Sequence, residues 1–290
     1  MNISVARRKR AKIKMCLQGP SGSGKTFSAL LLAFGLCGDW SKIVVIDSEN
    51  HSSELYSHLG GFSVAEISAP FTPEKYIEAI AYCEQSNFEV VIIDSTTHCW
   101  EYLLGYHASL QGNSFTNWAK VTPRHDAFIQ KILQSPVHII ATIRTKQDYV
   151  LNERNGKIVP EKVGLKAIQR GGLDYEFTLV FDINMRNHAT ASKDRTRLFF
   201  EMPEQKLSIE TGILINQWCN SGAEISVTDV SVRINDCRSI KDLLELYEKY
   251  PQFQSALQSD YENQKRQLLL ITKPVTPLLN PQISTNGIHK

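Results

Sequence analysis

A complete phosphate-binding motif is the first chemically informative pattern in the sequence. Residues 19–26 read G-P-S-G-S-G-K-T and match G-x-x-x-x-G-K-[S/T] at every defined position. In this pattern, successive backbone N–H groups surround a phosphate at the N-terminus of a helix. Lys25 is expected to reach the β- and γ-phosphates of a nucleoside triphosphate, and the Thr26 hydroxyl to ligate Mg²⁺. The candidate nucleotide-binding residues are Gly19, Pro20, Ser21, Gly22, Ser23, Gly24, Lys25, Thr26 and Phe27.

Two carboxylates follow apolar runs further along the chain. Residues 90–94 (V-V-I-I-D) predict a buried strand, and Asp94 at its end is expected to hold Mg²⁺ through water beside Thr26. Glu49 follows a second run, I-V-V-I-D at 43–47, where a carboxylate can orient or deprotonate an attacking water. A helix cap or a surface position is the alternative role for Glu49. Ligands of open α/β sheets bind at the carboxyl ends of strands, so these positions suit a shared site.

The elements around these residues predict the fold class. Strand and helix patterns alternate through the first two thirds of the chain, which predicts an α/β protein with a mainly parallel sheet flanked by helices. The phosphate motif itself lies between a short apolar strand and an apolar helix, as its mechanism requires. The elements expected are strands at 12–17, 43–47, 90–94, 137–143, 177–183 and 197–200, helices at 27–36, 73–84 and 123–133, and a hairpin at 149–159 about Asn155-Gly156.

The pattern changes near residue 221, after which amphipathic helices are expected. Residues 239–250 have apolar positions at helical spacing, a Ser239 cap, and Pro251 before a second helix at 252–270. The division expected is a basic N-terminal arm at 1–11, a core at 12–221, a small helical C-terminal region at 222–272 and a flexible tail at 273–290. The arm either contacts phosphates or an acidic partner, or it is simply solvated.

The bulk composition excludes several classes of protein. The 290 residues are 42% hydrophobic with a net charge of only +2, which allows a sizeable core and gives no overall indication of nucleic-acid binding. Six scattered cysteines without metal-ligand spacing predict free thiols in a reducing compartment. No apolar run reaches the length of a membrane span, and no signal-peptide pattern precedes the phosphate motif. We therefore expect a cytoplasmic protein with no membrane partner.

The arrangement of these motifs resembles the core of the RecA-like recombinase ATPases over about residues 12–220. In that family an I-D-x-E run carries the catalytic glutamate and the Walker-B strand ends in D-S, as do I-D-S-E-N-H at 46–51 and V-I-I-D-S at 91–95 here. In AAA+ proteins the glutamate directly follows the Walker-B Asp, a place that Ser95 occupies in this chain. The resemblance implies a Mg²⁺-dependent ATPase with ATP and Mg²⁺ as cofactors and with Lys25 and Glu49 as catalytic residues.

Three further runs resemble a group of phage-encoded RecA-like ATPases. Members of this group are often described only as AAA-domain proteins, and some are grouped with single-strand annealing proteins. They are H-I-I-A-T-I-R-T-K at 138–146, G-L-K-A-I-Q-R-G-G-L-D-Y-E-F at 164–177 and S-K-D-R-T at 192–196. This resemblance implies a role in phage or mobile-element recombination, annealing or replication, in a prokaryotic or phage-infected cell. Its DNA partner would be single-stranded.

The resemblance also implies self-association into a ring or filament, with ATP bound between subunits and cations supplied by the neighbour. RecA has an Asn-Gln pair at the end of the strand that matches 137–143, where this chain has Thr142 to Thr145, so either Thr142 or Arg144 is left to sense the γ-phosphate. Lys162, Lys166 and Arg170 would share one face if helical, and a solvated basic face is the alternative. The sensor and trans-acting candidates are Thr142, Arg144, Lys166, Arg170, Lys193 and Arg195.

Two stretches have the composition of a single-strand groove. Residues 105–121 are polar with interspersed aromatic residues, and residues 144–170 carry seven Lys/Arg against three Asp/Glu. The DNA-binding candidates are Phe115, Trp118, Lys146, Arg154 and Lys157. A nucleoside-kinase-like phosphotransferase and a nucleotide-gated adaptor are the alternative functions. For His98, close after Asp94, a position near the nucleotide is one alternative, and a core or surface role is the expected one.

Overall fold

A computed structural model of the chain describes residues 8–154, 157–222 and 226–271, and in these ranges all side chains except those of 147–165 and 271. The chain divides into two compact units, Met1–Ala223 and Glu224–Lys290. We call them the core unit and the C-terminal unit.

A mixed sheet forms the centre of the core unit. In the described residues its spatial order is β3-β2-β4-β5-β1-β7-β8; the first six of these strands are parallel, β8 is antiparallel to β7, and β6 pairs antiparallel with β5. This mainly parallel sheet confirms the predicted α/β fold. The strands are β1 (Lys14–Gly19), β2 (Ile43–Asp47), β3 (Ser63–Glu66), β4 (Val90–Asp94), β5 (His138–Arg154), β6 (Lys157–Ala167), β7 (Leu179–Ile183) and β8 (Ala189–Asp194).

Helices cover both faces of this sheet. Because side chains alternate along a strand, Met15 and Leu17 of β1 pack in one apolar cluster and Cys16 packs in the other. The first cluster includes α1 and α5, and the second includes α2 and α4. The helices of the core unit are α1 (Lys25–Cys37), α2 (Pro73–Gln85), α3 (Thr97–Ser109), α4 (Ser114–Gln134) and α5 (Ile209–Asn220).

The start of α4 differs from the prediction. The sequence placed a helix at 123–133 after a polar loop, whereas α4 begins at Ser114 and contains Pro123 in its interior. The Asn113 side chain accepts the N–H of Phe115 at 2.8 Å and caps the helix. Tertiary packing of the apolar face of α4 therefore outweighs the cost of an interior proline. Residues 105–121 are consequently mostly helical rather than an extended loop.

Residues 197–200, predicted as a strand, form a turn. The Asp194 carboxylate accepts backbone N–H groups of Thr196, Arg197 and Phe199, and Arg197 has a positive φ of 61°. An Asp side chain that satisfies several backbone donors in this way competes with strand pairing.

The predicted hairpin is present and longer than expected. β5 and β6 pair from Thr145 with Ala167 to Arg154 with Lys157, and Asn155-Gly156 lies outside the described residues. Residues 139–144 of β5 pair with β1 inside the sheet. The hairpin is therefore a continuation of β5 beyond the edge of the sheet. Lys162 and Lys166 belong to β6, so the helix suggested by their spacing is wrong.

The described part of the predicted N-terminal arm packs against α5. The Arg8 guanidinium stands 4.4 Å from the ring centroid of Trp218, and the N–H of Ala11 donates to the Cys219 carbonyl at 3.1 Å. Both contacts are to the last turn of α5, whose carbonyl groups favour cations.

The C-terminal unit contains α6 (Val227–Asp236), α7 (Ile240–Lys249) and α8 (Gln258–Ile271). Ser239 and Asp242 form a capping box at α7, as the sequence predicted. The second predicted helix begins later than expected, because a 3-10 turn at Pro251–Phe253 precedes α8. In the described part of the chain no helix combines the length and apolar character needed to cross a membrane.

A close contact between α1 and α5 generates a stability prediction. A Cβ at Gly35 would collide with the Ile209 carbonyl oxygen and lie 2.7 Å from the Cα of Gly212. Gly35→Ala should therefore lower the free energy of unfolding by about 1–3 kcal/mol, measured by urea denaturation. Gly105→Ala, in α3 with no atom within 4 Å of the added Cβ, is the control and should raise it by about 0.5–1 kcal/mol. Equal stability of the two variants would contradict the close approach of α1 and α5 at Gly35.

Candidate functional site

The phosphate motif forms a loop between β1 and α1 with the geometry expected for anion binding. Gly22 and Gly24 have φ of +80° and +83°, a left-handed conformation that favours glycine. The Lys25 ammonium donates to the carbonyl oxygens of Gly19 and Pro20, each at 2.9 Å. Burial lowers the pKa of Lys25, and the nearby Asp94 opposes that effect. The loop thus holds its cation close to the backbone groups that would surround a phosphate.

Asn187, which the sequence analysis missed, fixes the outer side of this loop. It comes from the turn between β7 and β8, and its side-chain amide donates to the Ser23 carbonyl at 2.9 Å. The same amide lies against the Cα of Gly24, leaving no room for a Cβ there. The only local signal for Asn187 was a turn sequence after an apolar strand.

The Asp94 carboxylate connects the loop to two strands. One of its oxygens accepts the Thr26 hydroxyl at 2.6 Å, and the other accepts the Thr142 hydroxyl at 2.5 Å. Asp94 is only 2% exposed, and this burial raises its pKa. Thr26 and Asp94 supply the hard oxygen ligands that Mg²⁺ prefers, so these residues fit a metal beside the phosphates. Thr142 is fully buried beneath Asp94.

Glu49 faces the same edge of the sheet from the end of β2. Its Oε1 accepts the Ser95 hydroxyl at 2.7 Å, and its Oε2 forms an ion pair with the Arg144 guanidinium. His98 Nε2 lies 3.9 Å from Oε1. The carboxylate is therefore held by groups that follow β4 and end the parallel part of β5.

A buried carboxylate sets the position of the Glu49 backbone. Asp47 Oδ1 accepts the Glu49 N–H at 2.6 Å, and Asp47 Oδ2 accepts the N–H of Ser53 at 3.1 Å. Asp47 is 1% exposed, so both bonds are shielded from water. Asp47 and Ser53 were not singled out from the sequence.

Of the two candidates for phosphate sensing, Arg144 is the one that lines the cleft. Its backbone N–H donates to the Thr97 hydroxyl at 2.9 Å, which fixes the end of the parallel part of β5. Burial lowers the pKa of its guanidinium. The Thr142 hydroxyl, by contrast, is occupied by Asp94.

The phosphate loop and several of the side chains around it line one cleft of about 520 Å³. Lys25, Thr26, Glu49, Asp94 and Arg144 contribute its polar side. Phe27, Tyr56, Asn187, Lys206 and Leu207 also line it, and the Phe27 and Tyr56 rings stand 5.6 Å apart between centroids. Aromatic and apolar side chains at such a wall suit a flat base. Tyr56 was not predicted, because it comes from a 3-10 segment (Ser52–Leu59) without a motif.

The remaining cation candidates lie outside this cleft. Arg170 pairs with the Asp126 carboxylate at 2.9 Å, and Lys166 is exposed on β6. Lys193 donates to the Asp174 carbonyl at 3.0 Å and to the Tyr175 carbonyl, which also accepts from Arg195 at 3.1 Å. None of these four residues lines the cleft that contains the phosphate loop in the described structure.

The DNA candidates have different environments. Phe115, at the start of α4, is 86% exposed. The Trp118 ring stacks on His107 and Trp100, at centroid distances of 4.2 and 6.1 Å, so it is engaged within the protein. Lys146 is exposed where the hairpin leaves the sheet. The side chains of Arg154 and Lys157 lie outside the described part.

The core unit combines a phosphate loop with the hydrogen-bonded pair of Thr26 and buried Asp94. Both lie on a mainly parallel sheet that helices cover. Together these features define a P-loop ATPase core. The chain belongs to the AAA domain family, whose model matches residues 11–206. That match spans the phosphate loop, Glu49, Asp94 and Arg144. A comparison with curated proteins found no match.

The loop geometry predicts the outcome of a single methyl addition. Gly24→Ala would strain a backbone at φ +83° and press against Asn187, so nucleotide affinity should fall at least about tenfold. Titration with a fluorescent ATP analogue measures this. Gly61→Ala, where the added Cβ meets nothing within 4 Å, should bind as the wild type does. Unchanged affinity in Gly24→Ala would be inconsistent with this loop as the binding site.

Proposed function

We propose that the protein is a Mg²⁺-dependent ATPase of the RecA-like type that binds single-stranded DNA in phage or mobile-element recombination, annealing or replication. The position of Glu49 is the observation that carries the proposal. It lies at the end of β2, the strand next to β4, and faces the phosphate loop, while Ser95 follows Asp94. This is the arrangement that the RecA-like resemblance implies.

The cleft residues suggest how hydrolysis would proceed. Lys25 and the loop N–H groups would bind the β- and γ-phosphates, and Thr26 and Asp94 would hold Mg²⁺, Asp94 through water. When bound, the metal neutralises charge on the phosphate oxygens. Glu49 would take a proton from water as the water oxygen bonds to the γ-phosphorus. The bond from that phosphorus to the bridging oxygen breaks, and its electron pair leaves with ADP.

Arg144 fits the role of the γ-phosphate sensor. Its guanidinium pairs with Glu49 Oε2, an oxygen that must be available to the attacking water. A γ-phosphate in the cleft offers more negative charge to Arg144 than one carboxylate does. Transfer of the guanidinium to that phosphate would release Glu49, so nucleotide binding and base activation would be coupled. Arg144 also precedes the hairpin on the same strand, which would convey the change to it.

Self-association into a ring or filament is part of the proposal. Lys193 and Arg195 lie beside the Leu173–Tyr175 turn and donate to neutral backbone carbonyls, which leaves them suited to reach a neighbour's phosphates. Arg170 is a weaker candidate for this role because the Asp126 carboxylate pairs with it.

The β5–β6 hairpin is the proposed contact for DNA. It emerges at the edge of the sheet that carries the nucleotide cleft, and residues 144–170 have an excess of basic residues. Lys146 would contact phosphates at its base, and exposed Phe115 would stack on a nucleobase. The engaged ring of Trp118 makes it a weaker stacking candidate than Phe115.

Glu49→Gln tests the hydrolytic half of the proposal. The amide keeps the size of the side chain but cannot accept the proton, so kcat should fall about 100-fold or more while ATP affinity is retained. Phosphate release and ATP-analogue titration measure the two quantities. Glu54→Gln, an exposed glutamate in the following 3-10 segment, is the matched control and should turn over normally. Normal turnover by Glu49→Gln would remove Glu49 from the mechanism.

Fluorescence anisotropy with a single-stranded oligonucleotide tests the DNA half. The combined substitution Lys146→Ala and Phe115→Ala should weaken binding about tenfold or more and reduce its salt dependence. Lys241→Ala, an exposed lysine on α7, should leave binding unchanged. The oligonucleotide should also change the ATPase rate of the wild type. Lack of both binding and stimulation would leave an ATPase without a DNA role, and phosphate transfer to a nucleoside would then favour a kinase.

A further inference from the structure

His98 occupies a more specific position than the sequence suggested. It is the second residue of α3, which begins directly after β4 and Asp94, and this places its ring beside Glu49. His98 Nε2 lies 3.9 Å from Glu49 Oε1, and His98 Nδ1 lies 3.0 Å from the Ser48 hydroxyl oxygen. The ring stacks on Phe71 with centroids 4.9 Å apart. Only 15% of the side chain is exposed.

We propose that His98 is a positioning residue for Glu49, holding Oε1 so that Oε2 is presented to the attacking water. The inference rests on the proposed role of Glu49 in hydrolysis. It assigns different tasks to the two carboxylate oxygens, and it gives a function to a histidine that contacts neither the phosphate loop nor the Thr26–Asp94 pair.

The partners of the two oxygens come from different parts of the fold. Oε1 faces Ser95, which directly follows β4, and His98, which lies in the first turn of α3. Oε2 is contacted by Arg144, which the proposed sensing step would draw to the γ-phosphate. When Arg144 leaves, Oε1 keeps both of its partners. Glu49 therefore stays in place, and only Oε2 becomes available.

Ser48 contacts the ring nitrogen of His98 that faces away from Glu49. The Ser48 oxygen already accepts the N–H of Ser95 at 3.0 Å, and its single proton has the His98 Nδ1 as a partner at 3.0 Å. The carbonyl oxygens of Asp94 and Ser95 are more distant, at 3.3 and 3.2 Å. When the Ser48 hydroxyl donates to Nδ1, a neutral ring carries its own proton on Nε2, the nitrogen that lies near Glu49 Oε1.

At 3.9 Å the Nε2 to Oε1 contact is longer than a hydrogen bond, so its effect in this state is electrostatic. A closure of about 1 Å would make it a hydrogen bond within the range of 2.7–3.2 Å that such bonds have. Catalytic geometry is sensitive to displacements of this size, so loss of the contact should lower turnover measurably.

Two substitutions separate the contacts of His98. In His98→Asn the amide oxygen takes the place of Nδ1 as the acceptor for the Ser48 hydroxyl, so the Ser48 contact remains and the Glu49 contact is lost. In His98→Gln the longer side chain places its amide nitrogen near the Nε2 position. We expect kcat to fall about tenfold in His98→Asn with KM for ATP unchanged, and His98→Gln to recover most of the rate. His107→Asn, on the same helix and outside the cleft, is the control.

The assay is designed so that folding does not affect the outcome. Turnover is expressed per ATP-binding site titrated in the same sample, which excludes unfolded molecules from the rate. In a Glu49→Gln background, His98→Asn should produce no further loss, because the residue acts through Glu49. A full further loss in that background would overturn the inference.

The proposed function and this inference fail in distinguishable ways. Normal turnover in Glu49→Gln would contradict the role of Glu49 itself. A large loss in Glu49→Gln together with wild-type kcat in His98→Asn would contradict only the role of His98. Equal impairment of His98→Asn and His98→Gln would also contradict it, because the recovered amide contact would then have no effect on the rate.

Discussion

The hydrogen-bonded Asp94 carboxylate joins three parts of the core unit at the carboxyl edge of the sheet. Its two oxygens accept from Thr26 at the start of α1 and from Thr142 on β5, while Asp94 itself ends β4. A buried carboxylate is costly unless donors surround it, so this carboxylate depends on both hydroxyl groups being in place. The strand order places β5 between β1 and β4, and the phosphate loop is thereby brought to the strand that carries the acid. The remaining features of the cleft are arranged around this contact.

Glu49 and Arg144 extend the same edge toward the hairpin. Glu49 belongs to the strand beside β4, and Arg144 is the last residue of β5 before the strand leaves the sheet to pair with β6. Their ion pair therefore connects the proposed catalytic base to the β5–β6 hairpin, the proposed contact for DNA. The Ser95 hydroxyl donates to the opposite oxygen of Glu49, and His98 lies beside that oxygen, so Glu49 is tied to the segment that follows Asp94. One short edge of the sheet thus contains the proposed metal ligands, the proposed base, the proposed sensor and the start of the β5–β6 hairpin.

Several local patterns were misleading because packing decided the outcome. Pro123 predicted a helix start, yet the Asn113 cap and an apolar face allow α4 to begin nine residues earlier, at Ser114. The spacing of Lys162, Lys166 and Arg170 fitted a helix, but cross-strand pairing with β5 makes this segment a strand that ends before Arg170. The carboxylate of Asp194 turned residues 197–200 away from strand pairing. In each case a non-local partner or a capping side chain competed with the intrinsic preference of the segment.

The sequence alone determined the α/β class, the phosphate loop and the strand-end positions of Asp94 and Glu49, because each depends on contiguous residues or on strand ends that must share an edge. Only the tertiary structure placed Asn187 on the loop, Tyr56 on the cleft wall and His98 beside Glu49. Asn187 and Ser23 are 164 residues apart in the chain, and no local pattern encodes such a contact. It also placed Arg144 on the cleft and Thr142 under Asp94, because burial of the Thr142 hydroxyl depends on the order in which three distant strands pair.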